Sequence, residues 1–136
     1  MGTLWIQILP GSESPIYKQV IDQVGEAVAR GRLRYGDKLP AVRKLAAELV
    51  INPNTVARAY TILEQQGLVT TKPGSGTFVS DPKLRDRDAA DINALGERID
   101  NLLTRGINLG FNCDELLDIF KDRLAAFVQK DKKGEK

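Results

Sequence analysis

The residues from Leu39 to Val79 constrain this chain more than any other stretch: LPAVRKLAAELVINPNTVARAYTILEQQGLVTTKPGSGTFV. They predict two short helices joined by a tight turn, then a small hairpin. Leu39-Pro40 is expected to open the earlier helix, because a proline near a helix start removes an N–H that has no helical partner anyway. Val42, Leu45, Ala46 and Leu49 then recur at i, i+3, i+4 and i+7, the spacing of one apolar helix face. Val50-Ile51 forms the turn. Asn52 is a good N-cap, since its side-chain oxygen can accept a bond from a free N–H two or three residues on. Pro53 suits the first helical position, and Gly67 supplies a left-handed stop. Between them Val56, Ala59, Tyr60 and Leu63 form the stripe expected to be buried.

The other face of that second helix stays open and carries Asn54, Ala57, Arg58 and Thr61. A helix that is polar and short-chained near its N-terminus suits the major groove of duplex DNA. Asn pairs with an adenine edge and Arg with a guanine edge, while Thr55, Thr61 and backbone N–H groups suit phosphates. The hairpin has Pro73-Gly74-Ser75-Gly76 at its tip, where the glycines let the backbone approach a partner closely and Lys72 brings charge beside it. Its strands, Leu68 to Lys72 and Thr77 to Ser80, are rich in β-branched residues, with Val69, Phe78 and Val79 expected to include the core-facing positions. Helix, helix, hairpin is a winged helix-turn-helix. Arg43 and Lys44 lie in the first turn of the earlier helix, where a cation opposes the macrodipole and gains nothing for stability. Those charges call for an external anion, or for pairing with Glu48 or Asp37. Arg58 is likewise open to pairing with Glu64 or Asp37.

GDKLPAVRKLAAELVINPNTVARAYTILEQQGLVTTKPGSGTFV, preceded by PIYKQVIDQVGEAVARGRL, resembles the DNA-binding domain of the GntR family of bacterial transcription regulators. The resemblance runs from Pro15 to Ser80, long, ordered and free of gaps. The short tail resembles the YtrA-type branch, which carries two helices for dimerisation in place of a large effector-binding domain. The resemblance implies a regulator, a repressor, that binds an inverted-repeat operator as a homodimer through a 52–67 recognition helix and a 72–77 wing. It implies that Lys38 lies near the DNA backbone, that Arg43 occupies the position of a DNA-contacting arginine, and that Gly74-Ser75-Gly76 reaches into the minor groove. Well-studied members carry further arginines at the positions of Pro53 and Ala57. Their absence here moves direct readout onto Arg58 and Asn54. The alternative is a winged helix used for protein or RNA contact, which an acidic or apolar helix face would favour.

The rest of the chain adds boundaries. An apolar share of 42% is ordinary for a globular chain and argues against wholesale disorder. Residues 1–80 hold 9 Lys/Arg against 6 Asp/Glu and residues 81–136 hold 11 against 12, so the basic excess of +3 lies in the front part. There is no histidine, which removes the commonest general base and metal ligand together. Neither an enzyme nor a metal site nor a cofactor is expected, and Asp114, Asp118 and Asp122 at four-residue spacing read as a solvated helix face. The single Cys113 fits a reducing cytosol and reads as a small buried hydrophobe. No apolar run approaches the roughly 20 residues of a membrane span, and no secretion signal opens the chain. A bacterial cytoplasmic location follows as the expectation.

Mainly α structure with a small β-hairpin is expected: a winged helix-turn-helix domain over 1–80, then a linker and two-helix region over 81–136. Leu4-Trp5-Ile6-Gln7-Ile8 is expected as an extra strand beside the wing or an arm packed on a partner, burying its large apolar side chains. A first helix starts near Ser14 or Pro15, with Pro15 at its first position, and ends near Arg30. Residues 30–38 form a basic connection, solvated at Arg32 and Arg34. A helix from about Asp88 to Arg105, stopped by Gly106, carries Ile92, Leu95, Ile99, Leu102 and Leu103. Asn112 caps a last helix, Cys113 to about Gln129, with Leu116, Leu117, Phe120, Leu124, Phe127 and Val128 on its apolar face. Lys130 to Lys136 is expected to be disordered. The two helices would cover one side of each other, and the remaining apolar residues, Ile92, Leu95, Ile99, Leu102, Leu116, Phe120, Leu124 and Phe127 among them, need another surface: the winged helix or, favoured by the separating linker at 81–88, the same hairpin of a second chain. About 55 residues follow the wing, too few for an enclosed ligand pocket of several hundred Å3, and no small-molecule effector is assigned by the sequence.

Overall fold

The computed structural model describes residues 6–134 apart from Asp86, and the side chains of Leu84 and of residues 128–134 are left out of account. Leu4 and Trp5 of the expected N-terminal segment lie outside the described residues. In order come α1 (Ile16–Ala29), α2 (Val42–Leu49), α3 (Pro53–Gln65), β1 (Val69–Lys72), β2 (Gly76–Val79), a 3-10 turn (Pro82–Leu84), α4 (Ala89–Asn108) and α5 (Cys113–Gly134). The chain divides into two units, 1–85 and 86–136.

In the first unit α3 is the hub, packed against α1, α2 and β1. Its buried residues are Val56, Ala59, Tyr60 and Leu63, the stripe that the helical spacing marks. They meet Val20, Val24 and Ala27 of α1, Leu45 and Ala46 of α2, and Val69 and Val79 of the hairpin in one core. The Tyr60 hydroxyl donates to the Pro40 carbonyl at 2.7 Å, and burial raises its pKa above the ordinary phenol value. Asn52 caps α3: its side-chain oxygen accepts from the Asn54 N–H at 2.8 Å, and Pro53 takes the first helical position. Gly67 ends the helix region with φ 79°.

Several boundaries differ from the sequence expectation. Leu39-Pro40 does not open α2. Leu39 is buried, and its N–H donates to the Thr77 carbonyl at 2.8 Å. A proline forces the residue before it into extended backbone, so residues 36–39 run beside β2 instead. Gly36 N–H bonds the Val79 carbonyl, Val79 N–H bonds the Asp37 carbonyl, and Lys38 pairs with Phe78. The end of the basic connection therefore lies alongside β2 through an isolated bridge, and α2 begins only at Val42. Pro15 is the N-cap of α1 rather than its first residue. In the hairpin Val69 pairs with Val79 and both are buried. Phe78 is one step out of phase with them, so it lies on the opposite face, half-buried.

The N-terminal segment is held by α1 rather than by a neighbouring strand. Gln23 accepts from the Gln7 N–H and donates to the Gln7 carbonyl, both at 2.9 Å. Gln19 does the same for Leu9, at 2.9 and 3.3 Å, and adds a bond to the Ser14 carbonyl at 2.9 Å. Two residues of extended chain span about 6.6 Å and four helical residues rise about 6 Å, so the two glutamines match alternate peptide groups. Ile6 is buried by this docking.

The second unit is a pair of helices. Asp88 caps α4, its carboxylate accepting from the Asp91 N–H at 2.8 Å. Gly106 does not stop α4 as expected. It lies inside the helix, buried, where a Cβ would come within 2.6 Å of the Leu116 side chain. It is a close-approach residue, and Gly110, with φ 99°, follows the helix end. Asn112 and Glu115 form a reciprocal capping box for α5, each side chain accepting from the other's N–H at 2.8 and 2.9 Å. The α5 backbone is helical to Gly134, beyond the expected end and into the stretch expected to be disordered. Cys113 is exposed at the start of α5, not buried. α4 and α5 approach closely at Gly106 and Leu116, while Leu102 and Ile107 of α4 and Leu117 and Phe120 of α5 stay more than half exposed, so each helix keeps apolar surface that the other does not cover.

Candidate nucleic-acid interface

With its apolar stripe turned inward, α3 leaves Asn54, Arg58 and Thr61 exposed and Thr55 half-exposed on the outside. The Asn54 side chain lies in the first turn, beside N–H groups with no helical acceptor, where the positive end of the helix favours anions. The Arg58 guanidinium lies over the Tyr17 ring of α1, 3.9 Å from its centroid. The Thr61 hydroxyl donates to the Ala57 carbonyl at 3.0 Å, so its proton is already committed. Asn54, Arg58 and Thr61 thus share one face, the arrangement that period-3.6 reasoning expects.

The hairpin presents a second cationic group. Register places Lys38, Phe78 and Thr70 abreast on one face of the sheet, with Lys72 and Gly76, two rows on, as the next pair on that face. The Lys72 ammonium lies 5.0 Å from the Phe78 ring centroid. The Lys38 side chain crosses Gly76 so closely that a Cβ there would fall 2.6 Å from its Cε. A side chain at position 76 would displace the end of this lysine, and the φ of 132° itself favours glycine there. Pro73, Gly74 and Ser75 are exposed at the tip, which a bond from the Ser75 N–H to the Lys72 carbonyl closes.

Arg43 and Lys44 stand exposed in the first turn of α2, which has no acidic residue in that turn. Among the described residues none of Lys38, Arg43, Lys44, Arg58 and Lys72 makes an ion pair. Of the partners that sequence spacing offered, Glu64 accepts from Thr71 and Asp37 accepts from the Arg34 N–H at 2.9 Å, and Glu48 makes no ion pair with Arg43. Cations without acidic partners on one domain form an electrostatic footprint suited to a polyanion.

Sequence spacing alone assigns no role to Tyr17, a core-facing one to Phe78 and only a pairing with Arg58 to Glu64. The fold instead sets Tyr17 against Arg58, Phe78 against Lys72 and Glu64 against Thr71, and no local spacing connects Tyr17 with Arg58. Of the residues expected to dimerise, Ile92, Leu95, Ile99, Leu102, Phe120 and Leu124 are exposed, while Leu116 and Phe127 are half-buried. The carboxylates Asp114, Asp118 and Asp122 are exposed. Among the described residues there is no His/Cys/Asp/Glu group that could hold a metal ion, and no helix is long and apolar enough to cross a membrane.

Known proteins share both the sequence and the fold. Residues 16–79 match the family described as bacterial regulatory proteins, gntR family. The chain is 35% identical over 130 residues to the HTH-type transcriptional repressor YtrA of Bacillus subtilis, covering 96% of this chain and 99% of that protein. A crystal structure described as a transcriptional antiterminator from Listeria monocytogenes superposes with a TM-score of 0.75 at 26% identity, over 94% of this chain and 95% of that one. The DNA-binding domain of AraR in complex with operator ORX1 superposes with a TM-score of 0.51 at 29% identity, over 55% of this chain and 96% of that one. With a full-length relative at this identity and a winged helix built on the matching residues, the chain belongs to the GntR family of DNA-binding transcription regulators, in its YtrA-type branch.

Proposed function

We propose that this regulator is a repressor that binds an inverted-repeat operator as a homodimer, with α3 in the major groove and the 72–77 wing against the minor groove. The observation that carries the reading is the division of α3 into a sealed stripe and an exposed face bearing Asn54, Arg58 and Thr61. Arg58 and Asn54 read base edges, guanine and adenine respectively. Thr55, Lys38, Arg43 and Lys44 hold phosphates, which set register and supply most of the salt-dependent affinity. Thr61, whose hydroxyl proton is taken up by Ala57, contributes its methyl group and remaining lone pairs. Lys72, Gly74, Ser75 and Gly76 form the wing contact. The name of the Bacillus subtilis relative supports repression, and the operator complex of the AraR domain supports duplex DNA as the partner.

The second unit supports a homodimer. Ile92, Leu95, Leu102, Phe120 and Leu124 are each more than half exposed, an apolar surface that water would leave open only if another chain covers it. Residues 1–80 act as the DNA-binding domain and 81–136 as linker and dimerisation region. Two-fold symmetry doubles a short set of readers and sets the spacing of the half-sites.

Selection of bound duplexes from a random-sequence pool tests the reading. An enriched inverted repeat, with half-site centres about 10 base pairs or a multiple apart, is the expected result. Failure to enrich any sequence, or a lone half-site bound by a chain that sediments as a monomer, overturns it.

A further inference from the structure

We propose that Tyr17 is a positioning residue for operator reading: its ring holds the Arg58 guanidinium in place and so contributes to sequence discrimination without touching a base. The proposal rests on the role of Arg58 given above. Arg58 is exposed, and a long charged side chain on an open helix face ordinarily samples many rotamers, whose loss opposes binding. Here the guanidinium lies 3.9 Å from the centre of the Tyr17 ring, well inside the distance at which a cation is attracted to a π face. Tyr17 is itself half-buried in the first turns of α1 and packed against the core. The ring is thus a fixed platform, supplied by a helix that packs on α3.

The kind of partner matters. A carboxylate would occupy the N–H fork of the guanidinium, the edge that bidentate recognition of a guanine requires. An aromatic ring engages the cation through its π face and accepts no strong hydrogen bond. Among the described residues Arg58 has no ion pair or hydrogen bond, so its donors remain available while its position is constrained. Glu64 and Asp37, the acidic residues that sequence spacing offered to Arg58, are committed to Thr71 and Arg34. The arrangement pre-organises the reader and leaves its donors for the operator.

The test uses the full chain and the duplex it selects from a random pool, with a second duplex in which each guanine assigned to Arg58 is replaced. Wild type, Tyr17→Phe, Tyr17→Leu, Arg58→Ala and the Tyr17→Leu/Arg58→Ala double variant are compared, with thermal unfolding as the check on folding. Tyr17→Leu is expected to weaken binding to the selected duplex about fivefold and to narrow its preference over the altered one. Tyr17→Phe should bind like wild type, and Tyr17→Leu should have no further effect once Arg58 is alanine. Tyr17→Phe behaving like Tyr17→Leu, an undiminished Tyr17→Leu effect in the Arg58→Ala background, or unaltered preference in a folded Tyr17→Leu variant overturns the proposal while leaving Arg58 as a reader. If Arg58→Ala itself leaves preference unchanged, the reading role fails first and the proposal fails with it.

Discussion

The Glu64 carboxylate accepts both the N–H and the hydroxyl of Thr71, at 3.1 and 3.2 Å, and so fastens the outer edge of β1 to the last turns of α3. One side chain thereby adds an exposed tether to the α3–hairpin packing that Leu63 and Val69 make in the core. The site is exposed, and water competes for both bonds. Glu64→Ala is therefore expected to cost no more than about 1 kcal/mol of stability. Its larger effect is local: the Thr71 amide should lose protection from hydrogen exchange and the wing should gain mobility, with Glu64→Gln in between. Unchanged protection of Thr71 in Glu64→Ala would show that the carboxylate does not hold the strand.

Val50 is the one non-glycine residue with positive φ among the described residues, at 57° with ψ 52°, and it forms the C-cap of α2. A β-branched side chain in the left-handed region costs about 1–2 kcal/mol. Its side chain is 87% exposed, so burial returns nothing. Val50→Gly relieves the strain but adds freedom to the unfolded chain, leaving a net gain of about 0.5–1 kcal/mol. The urea midpoint should rise with no change in slope. A lower midpoint would mean that the valine makes a stabilising contact despite its exposure.

How much of this was legible in the sequence differs by kind of information. The α3 stripe, its Asn52-Pro53 start and the glycine at 67 are local and periodic, so spacing and backbone preference locate them without knowledge of the fold. The open face bearing Asn54 and Arg58 followed from the same period. Leu39-Pro40 misled because proline is compatible with both a helix start and an extended edge, and the choice is made by β2, distant in sequence. Gly106 reads as a stop when only its own helix is considered, and as a contact residue once Leu116 is opposite. Gln19, Gln23 and Tyr17 act on backbone or side chains brought near by packing, and no pattern within a helix turn records that.

Gln19 illustrates the cost of such a hidden role. It is a buried polar residue, 8% exposed, and its amide serves Leu9 N–H, Leu9 carbonyl and Ser14 carbonyl. Gln19→Leu keeps the approximate volume but leaves those groups without a partner, at a cost of about 1–3 kcal/mol. The Leu9 amide should then exchange faster, and limited proteolysis should cut between Ile6 and Ser14 first. Gln23→Leu, removing a more accessible clamp at Gln7, should cost less. Equal protection of Leu9 in wild type and Gln19→Leu would show that apolar burial of Ile6 alone holds the segment.

Tyr60 ties α3 to Pro40, two residues ahead of α2, and it gives that tie a pH dependence. Its hydroxyl is buried and donates to the Pro40 carbonyl at 2.7 Å. Burial disfavours the phenolate and raises the folded-state pKa above its ordinary value near 10. The folded protein therefore holds this proton more tightly than the unfolded chain does. The associated stability is fully present below about pH 10 and is lost progressively as the pH rises beyond it, toward the raised folded-state value. Tyr60→Phe removes the hydrogen bond to the half-buried Pro40 carbonyl, a cost of about 1 kcal/mol at neutral pH. Above about pH 10 the wild-type protein gains a destabilising term that phenylalanine lacks, so the difference between the two should narrow and then reverse. Other titrating groups are common to both proteins and cancel in the comparison. Urea unfolding at neutral pH and between about pH 10 and 11 measures the difference directly. A gap that stays constant across that range would mean that the phenol ionises as readily in the folded chain as in the unfolded one.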